Sequence, residues 1–366
     1  MKIVFDYQIF SLQAYGGISR YFIELAQGLS ALEQEVKIFS PFYINNYLDG
    51  ISASIANGRK LNRYLPKTAR LFMGYNYHVS NMKMRNWKPD IVHETYYSRR
   101  NKKRNIATVL TVYDMIHELY PDSFSPKDLT TLFKKNACDR ADHIVSISHS
   151  TKKDLVEIFN VDPSKVTVVH LGADFSNCLS ADLPDNGIEK PFLLYVGNRG
   201  QYKNFGGLLR VFAASKKLKT EFNLIAFGGG IFTQEEKTFI AALGFSNDQI
   251  IQVSGDDSLL KSLYKSARAF VYPSLYEGFG LPPLEAMSQS CPVIASNTSS
   301  MPEVIGDAGV YFDPSDLESM QYAIENFVLD EERHSSMIAK GHLRLKNFSW
   351  ERCAQETYDV YHHLAG

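Results

Sequence analysis

The sequence predicts an α/β protein of two Rossmann-like domains facing each other across a cleft. Three observations lead there. Strand and helix patterns alternate along the whole chain; the alternation lapses once, into Asp, Asn, Ser, Pro and Gly between Gly172 and Pro191; and 366 residues suffice for two domains with a core each. Strands alternating with helices imply parallel sheets covered by those helices.

In the first half the short apolar runs Lys2–Phe5, Val36–Phe39, Ile91–His93, Ala107–Tyr113, His143–Ile147 and Val166–Val169 read as strands. Ser19–Ala31, Lys127–Ala141 and Thr151–Phe159 read as helices. After the polar break the series restarts, with strands expected at Phe192–Val196, Asn223–Phe227, Ile250–Val253, Ala269–Tyr272, Val293–Ala295 and Gly309–Phe312. Helices are expected at Asn204–Lys217, Gln234–Leu243, Ser258–Ser266, Leu284–Ser288, Leu317–Leu329 and Trp350–Leu364. No internal repeat or low-complexity tract interrupts the series.

Composition is that of a soluble globular protein, and no apolar run approaches the ~20 residues of a membrane-spanning helix. The start, Met1 to Asp6, reads as a buried strand rather than a signal peptide, so a cytoplasmic location is expected. Cys138, Cys178, Cys291 and Cys353 are scattered without a Cys-x-x-Cys pair, and read as buried small hydrophobes rather than a disulfide or zinc framework. The histidines show no metal-ligand spacing.

A net charge of −1 conceals an asymmetry. Residues 55–104 carry thirteen Lys or Arg against Asp90 and Glu94, so this stretch is +11 and the remainder −12. Tyr64, Phe72, Tyr75, Tyr77, Trp87, Tyr96 and Tyr97 are interleaved. Such a surface suits anionic lipid headgroups or a pyrophosphate-linked acceptor; the plainer alternative is a solvated face over ordinary core aromatics. Nothing matches an RNA-binding signature, so no nucleic-acid partner is expected.

Two clusters carry chemistry. Tyr276-Glu277-Gly278-Phe279-Gly280-Leu281-Pro282-Pro283-Leu284-Glu285 places two carboxylates about a Gly-rich turn, at the carboxyl end of a strand where open parallel sheets bind ligands. The following helix is expected from about Pro283, with proline and Glu285 near its positive end. Phe192 to Asn204 runs an apolar strand into a loop with Arg199 and Lys203 four apart, then into a helix, an arrangement that suits a diphosphate.

Together these clusters resemble the retaining nucleotide-sugar transferases of glycosyltransferase family 4, and the similarity covers nearly the whole chain. Gly16-Gly17-Ile18 resembles the family's amino-terminal glycine loop. Val145-Ser146-Ile147-Ser148 and His170-Leu171-Gly172-Ala173-Asp174 resemble its interdomain region, and Pro302-Glu303-Val304 with Gly309 the segment after the paired glutamates. The resemblance implies the GT-B fold: an acceptor-side domain over 1–175, a donor-binding domain over 190–346, and a carboxy-terminal helix over 347–366 crossing back to the first domain.

It also implies roles. Arg199 and Lys203 neutralise the departing diphosphate, and Gly16 and Gly17 offer backbone N–H groups to it. Glu285 accepts from the ribose hydroxyls, Glu277 faces the donor sugar, and Gly278, Phe279, Gly280 and Leu281 line the same pocket. The base sits near Val253 and Leu259. No Asp-x-Asp pair occurs in the sequence, which agrees with a metal-independent mechanism needing no cofactor beyond the nucleoside-diphosphate sugar. Many relatives carry His where Tyr113 stands. Here Asp114 and His117 are candidates for sugar or acceptor contact, or else Asp114 caps a local turn and His117 is a loop residue.

The function implied is transfer of a hexose, from UDP-glucose first and GDP-mannose next, to a saccharide or lipid-linked acceptor in polysaccharide biosynthesis. Peripheral contact with the inner face of an anionic membrane would run through residues 55–104. The alternatives are a nucleotide-sugar epimerase on the same fold and a non-catalytic nucleotide-sugar-binding protein of a polysaccharide assembly. A nicotinamide dehydrogenase is disfavoured, because no Gly-x-Gly-x-x-Gly follows the first strand.

Overall fold

A computed structural model describes residues 1–98, 106–173, 190–246 and 248–366. The chain divides into two compact units. The first comprises Met1–Glu118, Ser125–Gly172 and Trp350–Gly366, the second Leu119–Phe124 and Ala173–Ser349. Most of the expected polar linker, Cys178 and the last residue of the His170–Asp174 match lie outside the described residues, as do five of the thirteen cations in the basic stretch.

The strands of the first unit are β1 (Lys2–Phe5), β2 (Glu35–Ile38), β3 (Phe42–Tyr43), β4 (Arg59–Lys60), β5 (Ile91–Glu94), β6 (Ala107–Val112), β7 (His143–Ser146) and β8 (Val166–Val168). Six of them form an all-parallel sheet in the order β2-β1-β5-β6-β7-β8, while β3 and β4 pair separately. The second unit holds β9 (Phe192–Val196), β10 (Asn223–Phe227), β11 (Ile250–Val253), β12 (Ala269–Tyr272), β13 (Val293–Ser296) and β14 (Gly309–Phe312). They form a parallel sheet in the order β11-β10-β9-β12-β13-β14. Every residue of β9, β10, β12 and β13 is buried, as a strand covered by helices on both faces requires.

The last helix, Trp350–Ala365, is part of the first unit. It lies so close to the helix Gly17–Ala31 that a Cβ on Gly28 would sit 2.5 Å from the Ala354 Cβ. Tyr361 carries it into the core, where its hydroxyl meets Nδ1 of the fully buried His93 in β5; Nε2 of His93 lies 2.8 Å from Thr111 Oγ1 in β6. One imidazole thus joins two strands and the final helix.

Most expected elements are found with ends shifted by a residue or two, and three differences bear on function. A helix at Ala69–Trp87 fills a stretch where none was expected, because the residues it buries, Asn76, Ser80 and Met84, give no apolar period. The helix expected from Pro283 begins at Leu281, so Glu285 falls in its second turn and the first turn holds no acid. Helix Glu331–Leu345 was also unanticipated, and it buries only Met337 and Gly341.

Cys138, Cys291 and Cys353 are buried free thiols. Burial pushes the Cys138 and Cys353 thiols up to about 12, which leaves them inert at neutral pH. Among the described residues no helix is long and apolar enough to cross a membrane.

Burial holds His93 neutral, its pKa lowered to about 3. In the unfolded chain the same ring takes up a proton near pH 6.5, so the unfolded state binds more protons between those values. The stabilisation is complete above pH 6.5 and is lost as pH falls toward 3. Denaturant titrations across that window should show stability falling with pH, and less steeply in His93→Gln.

Candidate active site

In the second unit the chain leaves β9 to lay down β10 and β11 on one side, then returns past β9 to lay down β12, β13 and β14 on the other. The loops after β9 and β12 therefore start side by side at the carboxyl ends of those strands and run on to opposite sides of the sheet, the place where open parallel sheets take ligands. Lys203 comes from the first loop and Glu277 from the second. Lys203 Nζ lies 2.6 Å from Glu277 Oε1, with the two side chains 13% and 10% exposed.

The surroundings hold this pair in place. Lys203 Nζ reaches the Tyr272 hydroxyl at 3.5 Å and faces the rings of Tyr202 and Tyr272. Burial, then the Glu277 charge, push the Tyr272 phenol well above its ordinary value, so it keeps its proton. Ser299 Oγ accepts from Glu277 N at 2.9 Å, and Ser300 Oγ donates to Glu277 O at 2.9 Å and Phe279 O at 2.5 Å. Leu275 N donates to Tyr202 O at 2.7 Å, while Thr298 Oγ1 donates to Leu275 O at 2.9 Å. The loops after β9, β12 and β13 are thereby tied together.

The Gly-rich turn has its own constraint. Gly280 has φ +124°, and a Cβ there would lie 2.7 Å from Met301 Cε, so only glycine fits. Gly278 and Phe279 are buried beside it, Phe279 edge-on to Phe348, and Leu281 is half-buried. Glu285 accepts from the Tyr264 hydroxyl at 3.2 Å, which sets it against helix Asp257–Ser266, the helix that carries Leu259. Val253 ends β11, two strands from β9, or about 10 Å at ordinary strand spacing.

The structure does not bring Arg199 together with Lys203. The Arg199 guanidinium points into the loop after β10, donating to the carbonyls of Gly228 (2.8 Å), Gly229 (3.2 Å), Gly230 (3.0 Å) and Ile231 (3.3 Å). Its Nε lies 2.6 Å from Glu236 Oε1 and its plane faces Phe232. All three glycines have positive φ, which lets successive carbonyls turn toward one guanidinium. Burial opposes the Glu236 charge, yet Arg199 and the Thr233 N–H hold its carboxyl below its ordinary value.

Two family models divide most of the chain between them. "Glycosyl transferases group 1" matches residues 182–344 and "Glycosyltransferase Family 4" matches residues 15–177. The chain belongs to glycosyltransferase family 4. It is a glycosyltransferase, of the hexosyltransferase class. Its relatives include the O-antigen chain mannosyltransferase B of Escherichia coli, 28% identical over 99% of both chains. The O-antigen chain mannosyltransferase RfbU of Salmonella typhimurium is 31% identical over 59% of this chain and 60% of that one. Among solved structures, sucrose-phosphate synthase from Thermosynechococcus elongatus superposes with a TM-score of 0.76 at 18% identity, covering 99% of this chain and 98% of that one. HepE from Anabaena, in complex with UDP and glucose, gives 0.71 at 15% identity, covering 98% and 99%. These structural likenesses carry the GT-B fold.

In the first unit of this family 4 chain, strand order reverses between β1 and β5. Gly16 and Gly17 end the loop after β1 and open the helix Gly17–Ala31, with Gly16 extended and Gly17 exposed. The loops after β1 and β5 are joined by Asp6, which accepts from Thr95 Oγ1 at 2.6 Å and Gln8 Nε2 at 2.8 Å. Asp114 accepts from Ile116 N at 3.0 Å, a local turn cap. Lys134, buried and unforeseen, donates to Asp114 O at 2.9 Å and Glu118 Oε2 at 2.7 Å. His117 Nε2 lies 3.9 Å from Asp128; burial and then Lys134 push its pKa below the ordinary value, so it is neutral at pH 7.

Sequence reading also missed Tyr272, Ser299, Ser300 and Glu236. Tyr272 looked like the tail of an apolar strand, and Thr233-x-x-Glu236 is a helix capping box, which hides the carboxylate's second partner.

Arg199→Ala should lower Tm by several degrees, because it removes the centre of the Gly228–Ile231 loop and leaves Glu236 without its counter-ion. Lys203→Ala, which strands the buried Glu277 carboxylate, should lower Tm as well and lower turnover at least about a hundredfold, whereas Arg199→Ala should keep turnover within about tenfold of wild type. Calorimetry beside a transfer assay run below both Tm values checks this division; a hundredfold loss of turnover in Arg199→Ala would contradict it.

Proposed function

We propose that the protein transfers a hexose from a nucleoside diphosphate to a saccharide or lipid-linked saccharide during polysaccharide biosynthesis, retaining configuration and using no metal. The observation that carries this is the Lys203–Glu277 pair at the strand-order reversal. An ammonium at that place suits a diphosphate, and the carboxylate it would leave suits sugar hydroxyls, each oxygen accepting a hydrogen bond. Attraction between Lys203 and the phosphate grows as the leaving group gains charge, so it lowers the barrier rather than only tightening binding.

In the proposed step the acceptor hydroxyl oxygen bonds to the anomeric carbon as the bond from that carbon to the phosphate oxygen breaks. The acceptor's proton passes to the departing phosphate on the same face. Glu285, held by Tyr264, takes the ribose hydroxyls; Arg199 supports the loop flanking the site rather than the diphosphate itself. Asp114 and His117 stay candidates for sugar or acceptor contact, with His117 able to act as a neutral base.

On the donor, GDP-mannose now stands ahead of UDP-glucose. The relative alignable over 99% of both chains is named a mannosyltransferase, which outweighs the UDP and glucose in a structure 15% identical. Thermal-shift measurements against GDP, UDP and their hexose conjugates should give the largest rise with GDP-mannose. A rise with UDP-glucose alone would reverse the order. Product analysis with and without a saccharide acceptor then separates transfer from epimerisation and from binding without turnover, and full activity in EDTA is expected.

Glu285→Ala should weaken nucleoside-diphosphate binding about tenfold, the worth of a charge-assisted hydrogen bond. Unchanged affinity would remove the ribose role. A covalent sugar adduct trapped on Glu277 would replace same-face attack with double displacement.

A further inference from the structure

The outer edge of the first sheet carries a pocket that the transfer reaction leaves unused. β8 pairs with β7 alone, and a space of about 620 Å³ is lined by β8, the helix His149–Phe159 and the last helix, Trp350–Ala365. That volume falls within the ~300–1,000 Å³ typical of small-molecule sites. β8 lies three strands from β5, about 14 Å at ordinary strand spacing, so the pocket is separate from the loops after β1 and β5.

Its polar lining is rich in nitrogen. The helix His149–Phe159 contributes His149 and Lys152, β7 and the segment after β8 contribute His143 and His170, and the last helix presents Arg352 and His363, eleven positions apart on one face. Two of these groups are fixed by the sheet edge itself. Lys152 Nζ donates to Val166 O at 2.6 Å, and His143 Nε2 lies 2.8 Å from Thr167 Oγ1. Glu356 and Asp359 share the helical face, but both are engaged there: Glu356 Oε1 accepts from Arg352 Nε at 2.7 Å and Asp359 Oδ1 from Gln355 Nε2 at 2.9 Å.

The field at the sheet edge is positive. Burial, then His363, Lys152 and Lys165, push the His143 ring below its ordinary value, and a bound anion would relieve that repulsion. Donors reaching the space from three elements suit a tetrahedral phosphate, whose oxygens point in several directions, better than a planar carboxylate. Val166, Val168 and Val360 add apolar lining, and a pocket of this size leaves room for a sugar attached to the phosphate.

We propose that this edge pocket is a second ligand site, for a phosphate monoester such as a phosphorylated sugar. Lys152 and Arg352 hold the phosphate, and the imidazoles donate to it or accept from sugar hydroxyls. Binding here goes beyond the transfer reaction and does not depend on it, since it is measurable without turnover.

The test is calorimetric titration of the full chain with mannose 6-phosphate and with inorganic phosphate at pH 7 and low salt, beside proton–carbon spectra of the histidine rings assigned by single His→Gln variants. Saturable binding should shift the His143 and His363 signals. Lys152→Gln should weaken it about tenfold or more, the worth of a charge-assisted contact. Glu356→Gln, which removes a competing charge, should tighten it about threefold, a gain that misfolding cannot produce. Lys203→Ala should bind like wild type. Both probes moving the same histidine signals supports the phosphate class, and the tighter of the two names its source.

No saturable binding up to about 10 mM overturns the proposal. So does binding that survives Lys152→Gln, or that Lys203→Ala abolishes, since the anion would then occupy the donor site. Should Lys152→Gln fail to fold, unchanged or weaker binding in Glu356→Gln overturns it instead. Transfer by Glu356→Gln without added phosphate probes should equal wild type, so a failure here is distinct from failure of the transferase reading.

Discussion

A carboxylate withdrawn from water needs a counter-charge, and at the crest of the second sheet Glu277 has Lys203. Much of the local architecture serves that meeting. The reversal of strand order puts the two loops side by side, Ser299 and Ser300 hold the backbone on which Glu277 rides, and the Leu275–Tyr202 bond holds the loop of Lys203 against it. A bound diphosphate would have to compete with Glu277 for the same ammonium. Glu277 would then need other donors for its carboxylate, the part proposed for the sugar hydroxyls, so the phosphate and the sugar would be taken up together.

The fold could be read from the chain where burial follows the rules of pattern. Strands β9, β10 and β12 are short, wholly buried apolar runs, and they stand at the residues where such runs occur. Helix Ala69–Trp87 escaped because its inward residues are an asparagine, a serine and a single methionine, so the 3.6-residue period points the wrong way. Helix Glu331–Leu345 escaped for the related reason that it buries little beyond Met337 and Gly341.

The site divides along the same line. Lys203 and Glu277 sit in loops whose residue types announce them, but the partners that set their geometry are distributed. Tyr272 belongs to the strand, Ser299 and Ser300 to the loop after the next strand, and Tyr264, the partner of Glu285, to a different helix. Arg199 shows how proximity in sequence misleads. Four residues from Lys203, it faces a partner 37 positions away, and what decides this is a run of three left-handed glycines whose carbonyls converge. No spacing rule along a single loop contains that information.

The closing helix gives the chain a particular order of completion. Tyr361 supplies the hydroxyl that meets His93, and Ala354 packs where Gly28 leaves room, so the first unit is finished by residues made after the second unit. During synthesis the second unit, whose sheet is contiguous in sequence, can close while the first still exposes the groove meant for Trp350–Ala365. A ribosome-released fragment ending before Trp350 would leave an apolar seam along Gly17–Ala31 and a buried imidazole short of one partner. Quality-control proteases and chaperones that recognise such seams would therefore act on truncated products of this chain, and the two units cannot be exchanged between relatives by a single crossover without separating the first from its own tail.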